Sequence, residues 1–194
     1  GCGRYRDDTC YIVGLDAQTG EEIWRTSTVA LPGQRGGDTW GDLPLMYRAG
    51  ADSWIPGSYD PQTNLTYWST SQPKPWARVS RKTDGDALYS NSVLALDPAT
   101  GDQLWLFDPY ATGLRDRPTG RANRGVAHWS ELDDSSADVS GGATDERIFL
   151  GSGELLIALD AATGQPVPGF GSAGAVDLSR DPDPRVETFV WTSA

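Results

Sequence analysis
A short phrase recurs along this chain and limits the folds open to it. Its fullest form is Ala95-Leu96-Asp97-Pro98-Ala99-Thr100-Gly101-Asp102-Gln103-Leu104-Trp105. Gly14-Leu15-Asp16-Ala17-Gln18-Thr19-Gly20 runs on to Trp24, and Ala158-Leu159-Asp160-Ala161-Ala162-Thr163-Gly164 runs on to Val167 without a Trp. A worn copy, Tyr59-Asp60-Pro61-Gln62-Thr63-Asn64, continues to Trp68. The phrase has a mechanical reading. Leu-Asp ends an apolar strand, and the Asp carboxylate can accept backbone N–H groups one or two residues on. The following Gly supplies the positive φ of a hairpin closed by a type I turn and a bulge. The next strand then carries an aromatic that faces one side of the sheet only, which suggests docking between neighbouring copies.

The four Asp residues fall at 16, 60, 97 and 160, at intervals of 44, 37 and 63. The first two intervals are close to the roughly 40–50 residues of one propeller blade, and the third fits a blade with an insertion. With no amphipathic helix in view, turn-punctuated strands argue for an all-β sandwich, barrel or propeller, and the repeat favours the propeller. The expected hairpin units centre on residues 11–30, 54–69, 88–107 and 147–170 of one domain spanning 1–194. Residues 31–53 and 108–123 read as loops, the segment 77–86 as polar and exposed, and 186–192 as the first strand of a further blade. Gly1 stands inside what reads as a loop, so the chain is expected to be a piece of something longer.

Charge removes two partner classes. Sixteen Lys and Arg against 27 Asp and Glu give a net charge of −11, a surface that repels nucleic acid and anionic lipid. No apolar run approaches the roughly 20 residues of a membrane span. Cys2 and Cys10 are the only cysteines. A loop disulfide in an oxidising compartment is the first reading, two free thiols the alternative.

The repeat resembles the tryptophan-docking repeat of the quinoprotein dehydrogenases, the pyrroloquinoline quinone (PQQ) dependent alcohol, methanol and glucose dehydrogenases. Gly36-Gly37-Asp38-Thr39-Trp40-Gly41 resembles a loop of the alcohol dehydrogenase branch. So does Trp54-Ile55-Pro56-Gly57-Ser58-Tyr59-Asp60-Pro61, with Asn64-Leu65-Thr66-Tyr67-Trp68 behind it. Asn123-Arg124-Gly125-Val126-Ala127-His128-Trp129 and the tail through Gly169-Phe170-Gly171 extend the likeness over nearly the whole chain.

The resemblance implies about four blades of an eight-bladed propeller, with PQQ and calcium in a funnel on its axis. Trp54 would be the flat floor on which the quinone stacks, and Arg124 would bond the quinone oxygens through its guanidinium fork. Thr192 and Asp52 stand where the family contacts the cofactor. Gln72 stands where an Asn carbonyl binds calcium, and an amide oxygen suits that hard ion. The implied activity is periplasmic oxidation of an alcohol or sugar by hydride transfer to the quinone, with electrons passing to a cytochrome or ubiquinone. A scaffold propeller that presents loops to other proteins is the alternative.

The order of segments departs from the family. The Asn-Arg-Gly segment follows the blade it should precede, so the order looks permuted, or two related pieces look joined at the Asp97–Trp105 repeat. The family's calcium-binding Glu has no counterpart here. Asp116 stands near the place of the catalytic Asp, in an Arg-Asp-Arg-Pro context that does not match, so the catalytic residue is unassigned. Asp133, Asp134 and Asp138 lack the spacing of a calcium loop. His128, the sole histidine, sits in an apolar strand and reads as structural. Asn64-Leu65-Thr66 is a glycosylation sequon in a tight turn.

Overall fold
The computed structural model describes residues 9–114, 125–131 and 145–179. Twelve strands follow one another: β1 (Tyr11–Leu15), β2 (Glu22–Ser27), β3 (Ala49–Gly50), β4 (Ser58–Asp60), β5 (Leu65–Ser69), β6 (Pro73–Lys74), β7 (Val93–Leu96), β8 (Gln103–Phe107), β9 (Val126–Ser130), β10 (Glu146–Ser152), β11 (Leu155–Asp160) and β12 (Ala175–Asp177). They form antiparallel sheets in the orders β1-β2, β4-β5-β7-β8, β12-β11-β10-β9 and β3-β6. This is the all-β, partial-propeller architecture that the repeat predicts. The hairpins at 54–69 and 88–107 share one sheet, joined where β5 pairs β7 in the register Thr66–Leu96 to Ser69–Val93.

β7 shows why the sheets stack. All four of its residues are buried. Val93 and Ala95 face one way, into a core with Tyr67, Trp105, Ile148, Leu150, Ile157 and Leu159. Leu94 and Leu96 face the other way, onto Ile12, Val29, Trp40 and Tyr89. The period of two divides one apolar run between two cores. The β4-β5-β7-β8 sheet is therefore packed on both faces, as an interior blade is.

The repeat does the joining. Asp16, Asp97 and Asp160 each accept N–H bonds from the residues just after them: Gln18 and Thr19 at 2.9 and 2.7 Å, Ala99 at 2.7 Å and Thr163 at 2.8 Å. In each unit the Gly N–H bonds back to the Asp carbonyl at 2.8 Å. Gly20, Gly101 and Gly164 adopt φ of 75°, 75° and 70°. Asn64 takes that place in the worn copy, with φ 54°; Asn is among the few side chains that tolerate it. The turn of one sheet then receives the Trp of its neighbour. Trp24 Nε1 donates to Pro98 O at 2.9 Å, and Trp105 Nε1 donates to Ala161 O at 3.0 Å. A Cβ on Gly101 would stand 2.4 Å from the Trp24 ring, and one on Gly164 2.5 Å from the Trp105 ring, so glycine makes room as well as the bend. Trp68 does not dock on a turn: its ring packs over Gly57 and its Nε1 has no partner among the described residues. At the Asp60 turn the neighbouring sheet is met instead by Gln62, whose Nε2 donates to Ser130 Oγ at 3.4 Å.

Two expectations need correction. The stretch 31–53 is more than loop: a 3-10 turn at Gly37–Trp40 buries Trp40 completely, with its Nε1 on Leu88 O. Arg48 is 7% exposed and donates to the carbonyls of Ala30, Gly37, Gly41 and Leu43. It satisfies the backbone of a loop that has no ladder to do so. Similarly, the polar segment after Ala77 forms one helical turn, Arg78–Arg81, and buries Arg81 against Pro75 O and Trp76 O. Cys10 is disulfide-bonded, as the loop-disulfide reading expects; Cys2 lies outside the described residues, as does the expected strand 186–192. No described helix is long and apolar enough to cross a membrane.

Candidate functional site
Several expected site residues gather at one end of the β4-β5-β7-β8 sheet. β5 ends at Ser69, β7 starts at Val93, and β8 ends opposite it at Phe107. Beyond those ends the backbone continues as a small lattice. Thr70 N–H bonds Ser92 O at 3.0 Å, Ser71 N–H bonds Asp52 O at 3.0 Å, Ala51 N–H bonds Gln72 O at 3.1 Å, and Asn91 N–H bonds Ser71 O at 2.9 Å. The short β3-β6 pair extends it, with Gly50 opposite Pro73. Asp52, Gln72 and Asn91 thus lie on three hydrogen-bonded segments, and Trp54 follows two residues after Asp52.

Each side chain there has a definite condition. Trp54 is 58% exposed and Trp76 71%, whereas Trp40 and Trp105 are buried. Asp52 Oδ2 accepts from Lys74 Nζ at 2.8 Å and Ser71 Oγ at 3.2 Å. Its Oδ1 stands 3.4 Å from the Cys10 sulfur, which in a disulfide has no proton to give. Gln72 Oε1, Asn91 Oδ1 and Ser53 Oγ are buried without a hydrogen-bond partner among the described residues. A buried oxygen left unpaired costs on the order of 1–3 kcal/mol, and these three lie on or beside adjoining hydrogen-bonded segments. Amide oxygens beside a carboxylate are the donor set of a hard cation such as calcium. The residues present fit that ion.

Arg124 and Thr192 lie outside the described residues, as do Asp116, Asp133, Asp134 and Asp138. β9 begins at Val126, two residues after Arg124, and its carbonyl accepts from Ser58 Oγ at 2.8 Å. Ser58 follows Trp54 by four residues, so the strand that Arg124 precedes starts beside the strand that Trp54 precedes.

Asp108, just past β8, is the one described acid whose carboxyl is pushed upward. Burial is the main cause, opposed by the N–H of Tyr110 and reinforced by the Asp86 charge. The folded state therefore holds its proton above the ordinary Asp value of 3.8. Stability should fall as pH rises from that value through the raised pKa, then level off. Asp108→Asn keeps the acceptor for Tyr110 N–H at 2.9 Å. It should raise the melting temperature at neutral pH and remove that decline, both checked by calorimetry across the acid range.

Sequence reasoning did not find Asn91 or Ser53. Their only signal was position, Ser53 one residue before Trp54 and Asn91 two before β7. A cavity of about 400 Å³ lies elsewhere, between β1-β2 and the Gly101 turn, lined by Tyr11, Arg25, Tyr89 and Asp102 among others; none of the expected site residues lines it.

Comparison with known proteins decides the family. Residues 3–116 and 90–194 each match the PQQ glucose/ethanol/alcohol dehydrogenase β-propeller domain. The chain belongs to this quinoprotein family. The two matches overlap across the Asp97–Trp105 repeat, where the sequence suggested that two related pieces meet. Lupanine 17-hydroxylase [cytochrome c] of a Pseudomonas species is 31% identical over 118 residues, covering 54% of this chain and 17% of that protein. The quinoprotein alcohol dehydrogenase PedH of Pseudomonas putida is 36% identical over 113 residues, 50% of this chain and 18% of its own length. The solved quinohemoprotein alcohol dehydrogenase ADHIIG of Pseudomonas putida HK5 superposes with a TM-score of 0.62 over 87% of this chain and 24% of that one, at 23% identity. This quinoprotein chain spans less than a fifth of the length of those curated relatives, and the solved structure shares its fold.

Proposed function
We propose that this chain supplies part of the quinone-binding face of a periplasmic PQQ-dependent dehydrogenase that oxidises alcohols or sugars. The observation that carries the reading is Gln72 Oε1, buried and unpartnered on the same sheet end as the exposed Trp54. Trp54 offers the ring face for a planar ligand. Gln72, with Asn91 beside it, holds calcium through amide oxygens. By the family likeness alone, Arg124 would bond the quinone oxygens and Thr192 a carboxylate of the cofactor. When bound, the quinone supplies the acceptor for hydride taken from the substrate's carbinol carbon; the protein's part is binding, orientation and electrostatics.

Asp52 is engaged by Lys74 and Ser71, which holds it as a fixed acceptor that orients the loop, and not as the proton acceptor of the reaction. With the family's calcium-binding Glu unmatched and the catalytic Asp unassigned, the 194-residue chain alone is expected to bind quinone without turning over. The cytochrome c in the name of the lupanine hydroxylase and the haem in that of ADHIIG support a cytochrome as the electron acceptor, ubiquinone being the other candidate.

The test is calorimetric titration of PQQ with and without calcium. Binding should require calcium, and Gln72→Ala should weaken it at least tenfold at limiting calcium while leaving the fold intact by circular dichroism. Calcium-independent binding, or none by the wild-type protein, would refute the reading. A lack of any quinone binding would favour the scaffold alternative.

A further inference from the structure
A second cluster lies toward the other end of β4 and belongs to none of the chemistry above. Asp60 ends β4 in one four-stranded sheet; His128 of β9 and Glu146 of β10 come from the next. His128 Nε2 is 2.6 Å from Glu146 Oε2 and 3.7 Å from Asp60 Oδ2. One potential ligand atom from each of the three residues lies within 4.8 Å of the others. The side chains are 0%, 12% and 9% exposed for Asp60, His128 and Glu146.

We propose that Asp60, His128 and Glu146 bind a first-row divalent cation, best matched by zinc, that fastens the two four-stranded sheets to each other. One imidazole nitrogen and two carboxylate oxygens are a donor set for such an ion. Ligands bonded to zinc at about 2.0–2.2 Å stand roughly 3.3 Å apart in a tetrahedron. The His128 separations of 2.6 and 3.7 Å straddle that value, and the two carboxylate oxygens lie within 4.8 Å of each other.

Charge is the stronger argument. A proton between His128 and Glu146 satisfies one contact, but the same nitrogen cannot also serve Asp60 at 3.7 Å. With a neutral ring the cluster carries two negative charges, and with a protonated ring it still carries one. Neither carboxylate has a Lys or Arg partner among the described residues. An unbalanced buried charge is costly, and a divalent cation cancels it. The carboxylates are also held in place by outer groups, as metal ligands are. Ser130 Oγ donates to Glu146 Oε1 at 2.8 Å, Gln62 N–H to Asp60 Oδ1 at 2.7 Å, and Thr63 Oγ1 to Asp60 Oδ2 at 2.5 Å. The Tyr67 ring lies parallel to the imidazole, 6° apart in plane with centroids at 6.4 Å.

His128 is the only histidine in the sequence, which makes a direct test possible. The purified full-length protein is stripped with chelator, titrated with zinc chloride and followed by the imidazole signals in ¹H–¹⁵N NMR. Metal retained after desalting is counted by mass spectrometry. The expected result is saturable movement of the His128 signals, one retained equivalent assignable to this cluster, and an upward shift of several degrees in melting temperature. His128→Phe keeps the ring stack and Glu146→Gln keeps the shape; each should lose zinc retention at least tenfold. Gln72→Ala should retain it, which separates this ion from the calcium of the sheet end. Unmoved His128 signals in the wild-type protein would overturn the proposal even if a variant failed to fold. So would wild-type retention in a folded His128→Phe.

Discussion
Trp105→Ala should cost about 3–5 kcal/mol, the range for removing a large buried aromatic. That is a large share of the 5–15 kcal/mol by which a domain is stable, so the variant should be largely unfolded at 37 °C. Trp105 is 7% exposed, packs against Tyr67 with centroids 5.6 Å apart, and spans the seam to the Gly164 turn. Its loss opens a cavity between two blades at the point where they are fastened. Trp105→Phe separates packing from the hydrogen bond. Ala161 O also accepts from Tyr67 OH at 3.1 Å, so the carbonyl is not orphaned and the cost should stay near 1 kcal/mol. Urea midpoints at constant slope give both values. Equal, small losses for the two substitutions would show that Trp docking does not hold the blades.

Trp54→Ala should leave the fold nearly untouched and weaken PQQ binding. The ring is more than half exposed, so little packing is lost with it. Stacking of a flat heterocycle on an aromatic is worth about 1–3 kcal/mol by alanine substitution, which is roughly a 5- to 150-fold rise in dissociation constant. Trp54→Phe should recover part of that. Calorimetric titration at saturating calcium checks it, since it does not depend on which of eight tryptophans reports by fluorescence. An unchanged constant in Trp54→Ala would remove the ring from the site.

The two expectations differ because the sequence carries them differently. The docking turns were legible since they are local: Asp, a positive-φ Gly and an aromatic four residues later define turn, register and neighbour contact within eleven residues. β7 was legible in part: the hairpin expected over 88–107 is present, but its first strand begins only at Val93. The burial of Trp40, Arg48 and Arg81 was not. Trp40 meets a distant stretch at Leu88 O, and Arg48 and Arg81 satisfy carbonyls of irregular loop backbone; no periodicity marks such residues. Asn91 escaped notice because its unpaired carbonyl exists only once three loops are laid side by side. Asp60, His128 and Glu146 are 68 and 18 residues apart in turn, and only the packing of two sheets brings them together. Trp54, Asp52 and Gln72 were singled out by family likeness, and the fold places them at one sheet end.

The central claim is that one end of the β4-β5-β7-β8 sheet is a quinone seat. A crystal structure of the full-length protein with PQQ and calcium tests it most directly. The quinone should lie on the face of Trp54, with calcium on Gln72 Oε1. Finding the Trp54 ring packed inside another blade, or the quinone bound away from this sheet end, would contradict it.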